Sequence, residues 1–283
     1  MQLAHYTKRF EQNGTVLDFH KETIVMGILN VTPDSFSDGG QFDAIDAAIL
    51  HAKQMVNDGA KIIDIGGEST RPGHDPVSVE QEIARVIPVI AALSKELDVM
   101  ISIDTYKAEV AEQAILAGAH IINDVWGAKK EPAIVHVAAK YQVPIILMHN
   151  RENTEYNDFW NDVRSDLEES VQLAKDAGIE EEHIWLDPGI GFGKTTEQNI
   201  WMMQHLSDLA EMGYPVLLGT SKKSMIGNVL DLPVSERLEG TAATVSYGVM
   251  NGCHIMRVHD VKGIVRTVKM MDVLTGKQVF VEK

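Results

Sequence analysis

The stretch Ile24-Val25-Met26-Gly27-Ile28-Leu29-Asn30-Val31-Thr32-Pro33-Asp34-Ser35-Phe36-Ser37-Asp38-Gly39-Gly40 decides how the rest of the chain is read. It opens as a short apolar run with β-branched residues in front, the composition of a strand buried on both faces. From Asn30 it breaks into polar and turn-forming residues and ends on Gly39-Gly40. A greasy strand that empties into a polar loop presents side chains at the edge of a sheet.

The same device recurs along the chain. Strands are expected at 24–29, 61–65, 99–104, 119–124, 143–148, 183–187, 215–219 and 253–258. Helical stretches are expected at 43–58, 79–97, 106–117, 132–140, 158–177, 197–211, 236–251 and 261–274. Several stop at a glycine, among them Gly59, Gly118, Gly178, Gly213 and Gly252. Eight strands alternating with eight helices in 283 residues predict a (β/α)8 TIM barrel. A doubly wound open sheet is the alternative, but no glycine-rich dinucleotide fingerprint follows the first strand. Residues 1–22 stand outside the alternation. Asn13-Gly14, set between Lys8-Arg9-Phe10 and Thr15-Val16-Leu17-Asp18-Phe19, predicts a hairpin that covers one end of the barrel. The expected organisation is one domain over 1–283, with the hairpin at 1–22 and the barrel at 24–274.

Composition narrows the functions open to such a barrel. The chain is 45% hydrophobic and 23% charged, which suits a soluble globular protein with a large core. A net charge of −16 argues against nucleic acid and membrane surfaces as partners. It leaves room for a small anionic substrate held by a local basic site. Cys253 is the only cysteine, so no intrachain disulfide forms, in keeping with a reducing compartment. Its apolar neighbours predict a buried, inert thiol. No signal-peptide h-region opens the chain, and no apolar run approaches the ~20 residues of a membrane helix. A cytoplasmic location is expected.

Barrels of this kind carry their sites at the C-terminal ends of the strands. The residues there are Asn30, Asp64, Asp104, Asn123-Asp124, His149-Asn150, Asp187, Ser221-Lys222-Lys223-Ser224 and Arg257-Val258-His259. Arg257 and His259 share a strand face by the period of two. An Arg fork with an imidazole suits a phosphate or diphosphate; the other reading pairs Arg257 with a barrel carboxylate and lets His259 cap a helix. Lys222 and Lys223 suit an anion or a polar ring edge, and one of them is expected to be solvated. Asp104 and Asp187 can only accept hydrogen bonds when ionised. With Asn123 they suit a ligand rich in N–H donors, such as an aminopyrimidinone ring, or else Lys223 or Arg257 simply neutralises them. Gly189-Ile190-Gly191-Phe192-Gly193-Lys194 is neither a P-loop nor a dinucleotide motif. Its glycines allow a tight turn that lets Phe192 cap a pocket. The 11 histidines form no zinc pattern. Mg2+ bridging a diphosphate is compatible with Asn30 and loop carboxylates. His51, His136 and His205 lie in helical stretches and are expected to pack or face solvent.

Taken in order, these motifs resemble the dihydropteroate synthase family. They are Leu29–Gly40 written above, Asp64-Ile65-Gly66-Gly67-Glu68-Ser69-Thr70-Arg71-Pro72-Gly73, Ser102-Ile103-Asp104-Thr105 and Ile122-Asn123-Asp124-Val125. Asp187-Pro188-Gly189-Ile190-Gly191-Phe192-Gly193-Lys194, Ser221-Lys222-Lys223-Ser224 and Arg257-Val258-His259 complete the set. The resemblance implies that para-aminobenzoate displaces diphosphate from 7,8-dihydropterin-6-ylmethyl diphosphate, giving 7,8-dihydropteroate. It implies that Asp104, Asn123 and Asp187 hold the pterin, with Lys223 at its other edge and Met148 on its face. Arg257, Val258, His259 and Thr70 would take the diphosphate end, and Asn30 would ligate Mg2+. Phe36, Arg71, Pro72, Phe192 and Ser224 would line the aminobenzoate pocket. Asp104, Lys223, Arg257 and His259 would carry the catalysis. Residues 31–40 would form a lid, with Leu29 on the floor of the mouth. A homodimer through the late helices, about 236–274, is implied as well, with Met250, Met270 and Met271 supplying apolar surface.

Two features depart from the family pattern. Lys222 stands where many relatives have Arg and lacks its planar fork. The run Met148-His149-Asn150-Arg151-Glu152-Asn153 lacks an expected glycine. Two other functions are open to a related barrel. A methyltetrahydrofolate-binding corrinoid methyltransferase domain would share the Asp/Asn cradle without needing Arg257-Val258-His259. A non-catalytic pterin-binding protein would be free to lose Asn30 or Lys223.

Overall fold

The computed structural model describes residues 9–12, 15–31, 41–68 and 76–282. Two short strands, β1 (Arg9–Gln12) and β2 (Thr15–Asp18), pair antiparallel. Eight parallel strands follow: β3 (Ile24–Asn30), β4 (Ile62–Gly66), β5 (Met100–Asp104), β6 (Ile121–Asp124), β7 (Ile145–Met148), β8 (Ile184–Asp187), β9 (Leu217–Leu218) and β10 (Ile255–Val258). Their order is β8-β7-β6-β5-β4-β3-β10-β9. A bridge from Leu186 to Val216 joins the two ends of that series. The sheet therefore curls into the expected barrel, not the open alternative.

Helices fill the connections: α1 (Gln41–Asn57), α2 (Val79–Glu96), α3 (Ala108–Ala117), α4 (Ala133–Tyr141), α5 (Phe159–Asp176), α6 (Thr196–Gln204), α7 (Leu206–Ala210), α8 (Ser224–Leu230), α9 (Leu238–Met250) and α10 (Val261–Leu274). Helix α2 starts on a reciprocal capping box between Ser78 and Gln81. The stretch expected as one helix at 197–211 is two, broken at His205, whose ring stacks on Trp160 at 5.2 Å and bonds Asp208 at 2.6 Å. Helix α8 was not expected. Gly227 in its middle obscures the pattern, and a Cβ there would require the Arg237 guanidinium to move. Strands expected from 143 and 215 begin later, beyond Pro144 and Pro215, which have no N–H to give a ladder.

The period of two sorts the strand residues into two layers. Val25, Leu29, Ile63, Ile65, Ile101, Ile103, Ile122, Leu147, Leu186, Met256 and Val258 pack outward with the helices. Ile24, Met26, Ile62, Met100, Ile121, Ile146, Trp185, Leu217 and Ile255 fill the lower interior. Phe10, Leu17 and Phe19 from the hairpin join that inner cluster, with Phe19 and Phe10 edge-on to Trp185 at 5.5 and 5.8 Å. The hairpin thus plugs the bottom, as expected; its Asn13-Gly14 turn lies outside the described residues. Two residues further along β4, β5, β6, β8 and β10 the interior turns polar, with Asp64, Ser102, Asn123, Asp187 and Arg257, and Asp104 follows Ser102 at the next inward position of β5. That switch, apolar below and ionisable above, makes only one end of the barrel a mouth.

The layering corrects two expectations. Leu29 belongs to the outer layer, so Ile28, its neighbour, faces the interior below the mouth. Val258 also points outward and is fully buried against the helices, which leaves only its main chain near the site. Leu29 is an error of one residue in phase, and a one-residue slip reverses the face; Val258 takes the face opposite Arg257 and His259, as the period of two requires.

Candidate active site

Asp64 lies in the middle of β4 and is wholly buried, level with Ser102 on β5. Arg257 Nε donates to Asp64 Oδ2 at 2.6 Å, and Arg257 Nη2 donates to Asp104 Oδ2 at 2.6 Å. Asn123 Nδ2 donates to the same Asp64 oxygen at 3.2 Å. The arginine therefore lies across two carboxylates, as in the barrel-carboxylate reading of the sequence. Among the described residues Asp64 Oδ1, Asp104 Oδ1 and Ser102 Oγ have no hydrogen-bond partner, so the floor of the mouth is rich in acceptors. Burial opposes the Arg257 charge, but Asp64 and Asp104 outweigh it and raise its pKa further. Burial, reinforced by the neighbouring Asp64, pushes Asp104 up to about 7 despite Arg257.

The other wall comes from β8 and β9. Asp187 is buried, and burial raises its pKa against a hydrogen bond from the Gly189 N–H to Oδ1 at 2.7 Å. Lys223 stands with its ammonium 4.2 Å from the centre of the Phe192 ring. Ser224 follows it as the first residue of α8. Lys222 turns away: it has a left-handed φ of 59° and pairs with Asp260 at 3.1 Å. One of the two lysines was expected to be solvated; Lys222 is ion-paired and partly buried instead. Met148, beside Asp187 in the ladder, is buried at the end of β7. The His259 ring contacts Ser221 Oγ through Nδ1 at 3.0 Å, and its backbone N–H donates to the same oxygen at 3.2 Å. Ser221, which had no expected role, thus sets the imidazole by joining the loops after β9 and β10.

Asn30 ends β3 with its side chain exposed, and its Oδ1 lies on the same side of Gly66 as Asp104. Among the described residues no cluster of three or more His, Cys, Asp or Glu is arranged for a metal. A single hard amide oxygen at an open mouth fits Mg2+ shared with a diphosphate, since that ion is commonly held by one or two protein groups plus substrate oxygens.

The structure brings together Asn30, Asp104, Asn123, Met148, Asp187, Phe192, Lys223, Arg257 and His259 at the strand ends. Phe36, Thr70, Arg71, Pro72 and most of the expected lid at 31–40 lie outside the described residues. Asp64 had been noted at its strand end without a role. Its spacing of two from Ile62 is the signal that places it inside the barrel. Cys253 is buried as expected, and burial pushes its thiol pKa up.

The pterin-binding enzyme family matches residues 26–259. The dihydropteroate synthase of Bacillus subtilis strain 168 is 59% identical over 271 residues, spanning 96% of this chain and 95% of its own. The chain belongs to the dihydropteroate synthase family. A solved dihydropteroate synthase from Clostridium difficile, crystallised with pteroic acid, has a TM-score of 0.89 at 51% identity over 91% of this chain and 98% of that one. The Xanthomonas albilineans dihydropteroate synthase with 4-aminobenzoic acid has a TM-score of 0.89 at 39% identity, over 97% of this chain and all of that one. As a dihydropteroate synthase, the chain is a transferase of the pterinylmethyl group. The methyltransferase and non-catalytic readings fall away with that membership.

Proposed function

We propose that the mouth of this barrel joins 7,8-dihydropterin-6-ylmethyl diphosphate to para-aminobenzoate by dissociative loss of diphosphate. One observation carries the assignment of residues: the buried set Asp104, Asn123 and Asp187 gathered around Arg257 at the polar end of an otherwise apolar interior. Asp187, Asn123 and Asp104 accept from the N–H edge of the pterin, and Met148 packs on its face. Asp64 engages the Asn123 amide nitrogen, which turns the amide oxygen toward the ligand as an acceptor. Arg257, with N–H groups still unspent by its carboxylates, and His259 hold the diphosphate with Thr70. Asn30 would hold Mg2+, which when bound spreads the charge of the departing diphosphate.

Loss of diphosphate leaves a methylene cation conjugated with the pterin. Asp104, pushed up to about 7 by burial, is drawn to its ionised form as that cation develops and stabilises it. Lys223 holds the far edge of the pterin. The aromatic amine needs no strong base, so Phe36, Arg71, Pro72, Phe192 and Ser224 serve to orient it and exclude water. The catalytic set is Asp104, Lys223, Arg257 and His259.

The site draws on β3 and β10, so residues 1–283 work as one domain, with the hairpin as its plug. Two copies pair through α9 and α10. There Met250 and Met270 are exposed, whereas Met271 packs on the core and contributes less than the sequence suggested. The substrates are small molecules, with no nucleic acid or membrane involved. Among the described residues no helix is long and apolar enough to cross a membrane. A cytoplasmic setting belongs to the same proposal.

The test is direct. Mixing the protein with the dihydropterin diphosphate, para-aminobenzoate and Mg2+ releases diphosphate and dihydropteroate in equal amounts. Failure to form product with any divalent metal overturns the reading.

A further inference from the structure

Lys194 ends the glycine-rich motif after β8, and the mechanism above gives it nothing to do. It is nonetheless buried. Its Nζ donates to Gly189 O and Phe192 O, both at 3.1 Å, and lies 2.7 Å from His149 Nδ1. Three acceptors match the three N–H groups of an ammonium. His149 is buried too, and its Nε2 faces Asp166 Oδ2 at 3.0 Å. Asp166 also accepts from Arg151 Nε at 2.6 Å and pairs with Lys129. A carboxylate accepts, so Nε2 carries the proton and Nδ1 is left to accept from Lys194.

The turn so held is tight. Gly189 has φ of 67°, and a Cβ there would overlap the His149 carbonyl oxygen. The Gly191 N–H donates to Asn199 Oδ1 at 2.6 Å, and Gly193 O accepts from the Tyr156 hydroxyl at 2.7 Å. Phe192 sits between these anchors, and its own carbonyl is fastened by Lys194.

We propose that Lys194 is a positioning residue for the second-substrate pocket: it fastens the turn after β8 to the end of β7 and so fixes the Phe192 ring beside the Lys223 ammonium. The inference rests on the reading of Phe192 as part of the aminobenzoate pocket. Burial holds the His149 ring down at about 4, so at neutral pH it remains the neutral acceptor this arrangement requires. Burial also pulls Lys194 down to about 7, opposed by Asp187 and Asp166 and aided by Arg151 and Lys223.

The experiment is steady-state kinetics on the whole enzyme with Mg2+, with folding checked by circular dichroism. Lys194→Met raises KM for aminobenzoate about tenfold, while kcat and KM for the dihydropterin diphosphate stay within about threefold. His149→Ala does the same, and His149→Asn, whose amide oxygen replaces the Nδ1 acceptor, restores most of the loss. Phe192→Ala is the control for the pocket itself. If Phe192→Ala leaves the aminobenzoate KM unchanged, the pocket reading fails. If it raises that KM and a folded Lys194→Met does not, the positioning inference fails. Equal loss in all three parameters also overturns it, because that is the mark of general unfolding. Should Lys194→Met not fold, the His149 pair decides: recovery in Asn over Ala supports the inference, and no difference rejects it.

Discussion

Asp64 is the residue on which the site geometry turns, because one of its oxygens receives both Arg257 and Asn123. Its charge also helps keep Asp104 high. Asp64→Asn retains the shape and removes the charge. The acid limb of kcat/KM, which reports the free enzyme, then moves to lower pH because Asp104 loses a repelling neighbour. A pH–rate profile with its limb unmoved would sink this account. Arg257→Ala acts on two levels. It weakens binding of the dihydropterin diphosphate by about 2 kcal/mol, as for a lost charged hydrogen bond. It also strands two buried carboxylates and lowers fold stability by about 3 kcal/mol, readable in urea melts. Such residue-level roles were half legible in the chain. Asp104, Asn123, Asp187 and Arg257 announced themselves as polar groups ending apolar runs. That Arg257 lies between Asp64 and Asp104 depends on distances across the barrel, between strands far apart in sequence, and no local pattern encodes it. Ser221 and the Lys194–His149–Asp166 chain were hidden for the same reason.

Among the elements, the parallel strands were the clearest, since each is a continuous greasy run buried on both faces. Their phase was harder to read. A run apolar at every position carries no alternation, so Leu29 could be assigned to either face until its partners were known, whereas Arg257 and His259 already set Val258 on the opposite face. Helix α8 escaped because seven residues with a central glycine give too little periodicity. The hairpin, by contrast, was announced by Asn13-Gly14 and by the alternation after it. Its work is structural and at the far end from the site. Phe19→Ala, which empties the space against Trp185 and His254, should cost about 3 kcal/mol of stability and leave both KM values unchanged. Denaturant midpoints together with kinetics check both halves, and a shifted KM would show that the plug reaches the mouth.

The whole molecule carries buried titratable groups with opposite pH slopes. His149 titrates at about 4 in the folded chain against about 6.5 when unfolded. The unfolded state therefore takes up the proton first, and the stability this provides is lost as pH falls from 6.5 toward 4, on the order of 3 kcal/mol. Asp104 at about 7 and Asp124 at about 6 are raised by burial and act in the other direction, gaining stability over that fall. Comparing wild type with His149→Asn isolates the histidine. Between pH 7 and 4.5 the wild-type urea midpoint drops more than that of the variant, and parallel curves would refute the assignment.

The pairing of β3 with β10, Ile24 against Ile255, also bears on how the chain is made. Of the eight barrel strands, the one that carries Asn30 leaves the ribosome first and its partner last. Until Arg257 and His259 emerge, one edge of β3 has no neighbour and Asn30 cannot share a mouth with them. A nascent chain therefore holds an open, adhesive sheet edge until the last barrel strand is made. Activity arrives only with the final strand, so no fragment that stops short of β10 can work as a smaller enzyme.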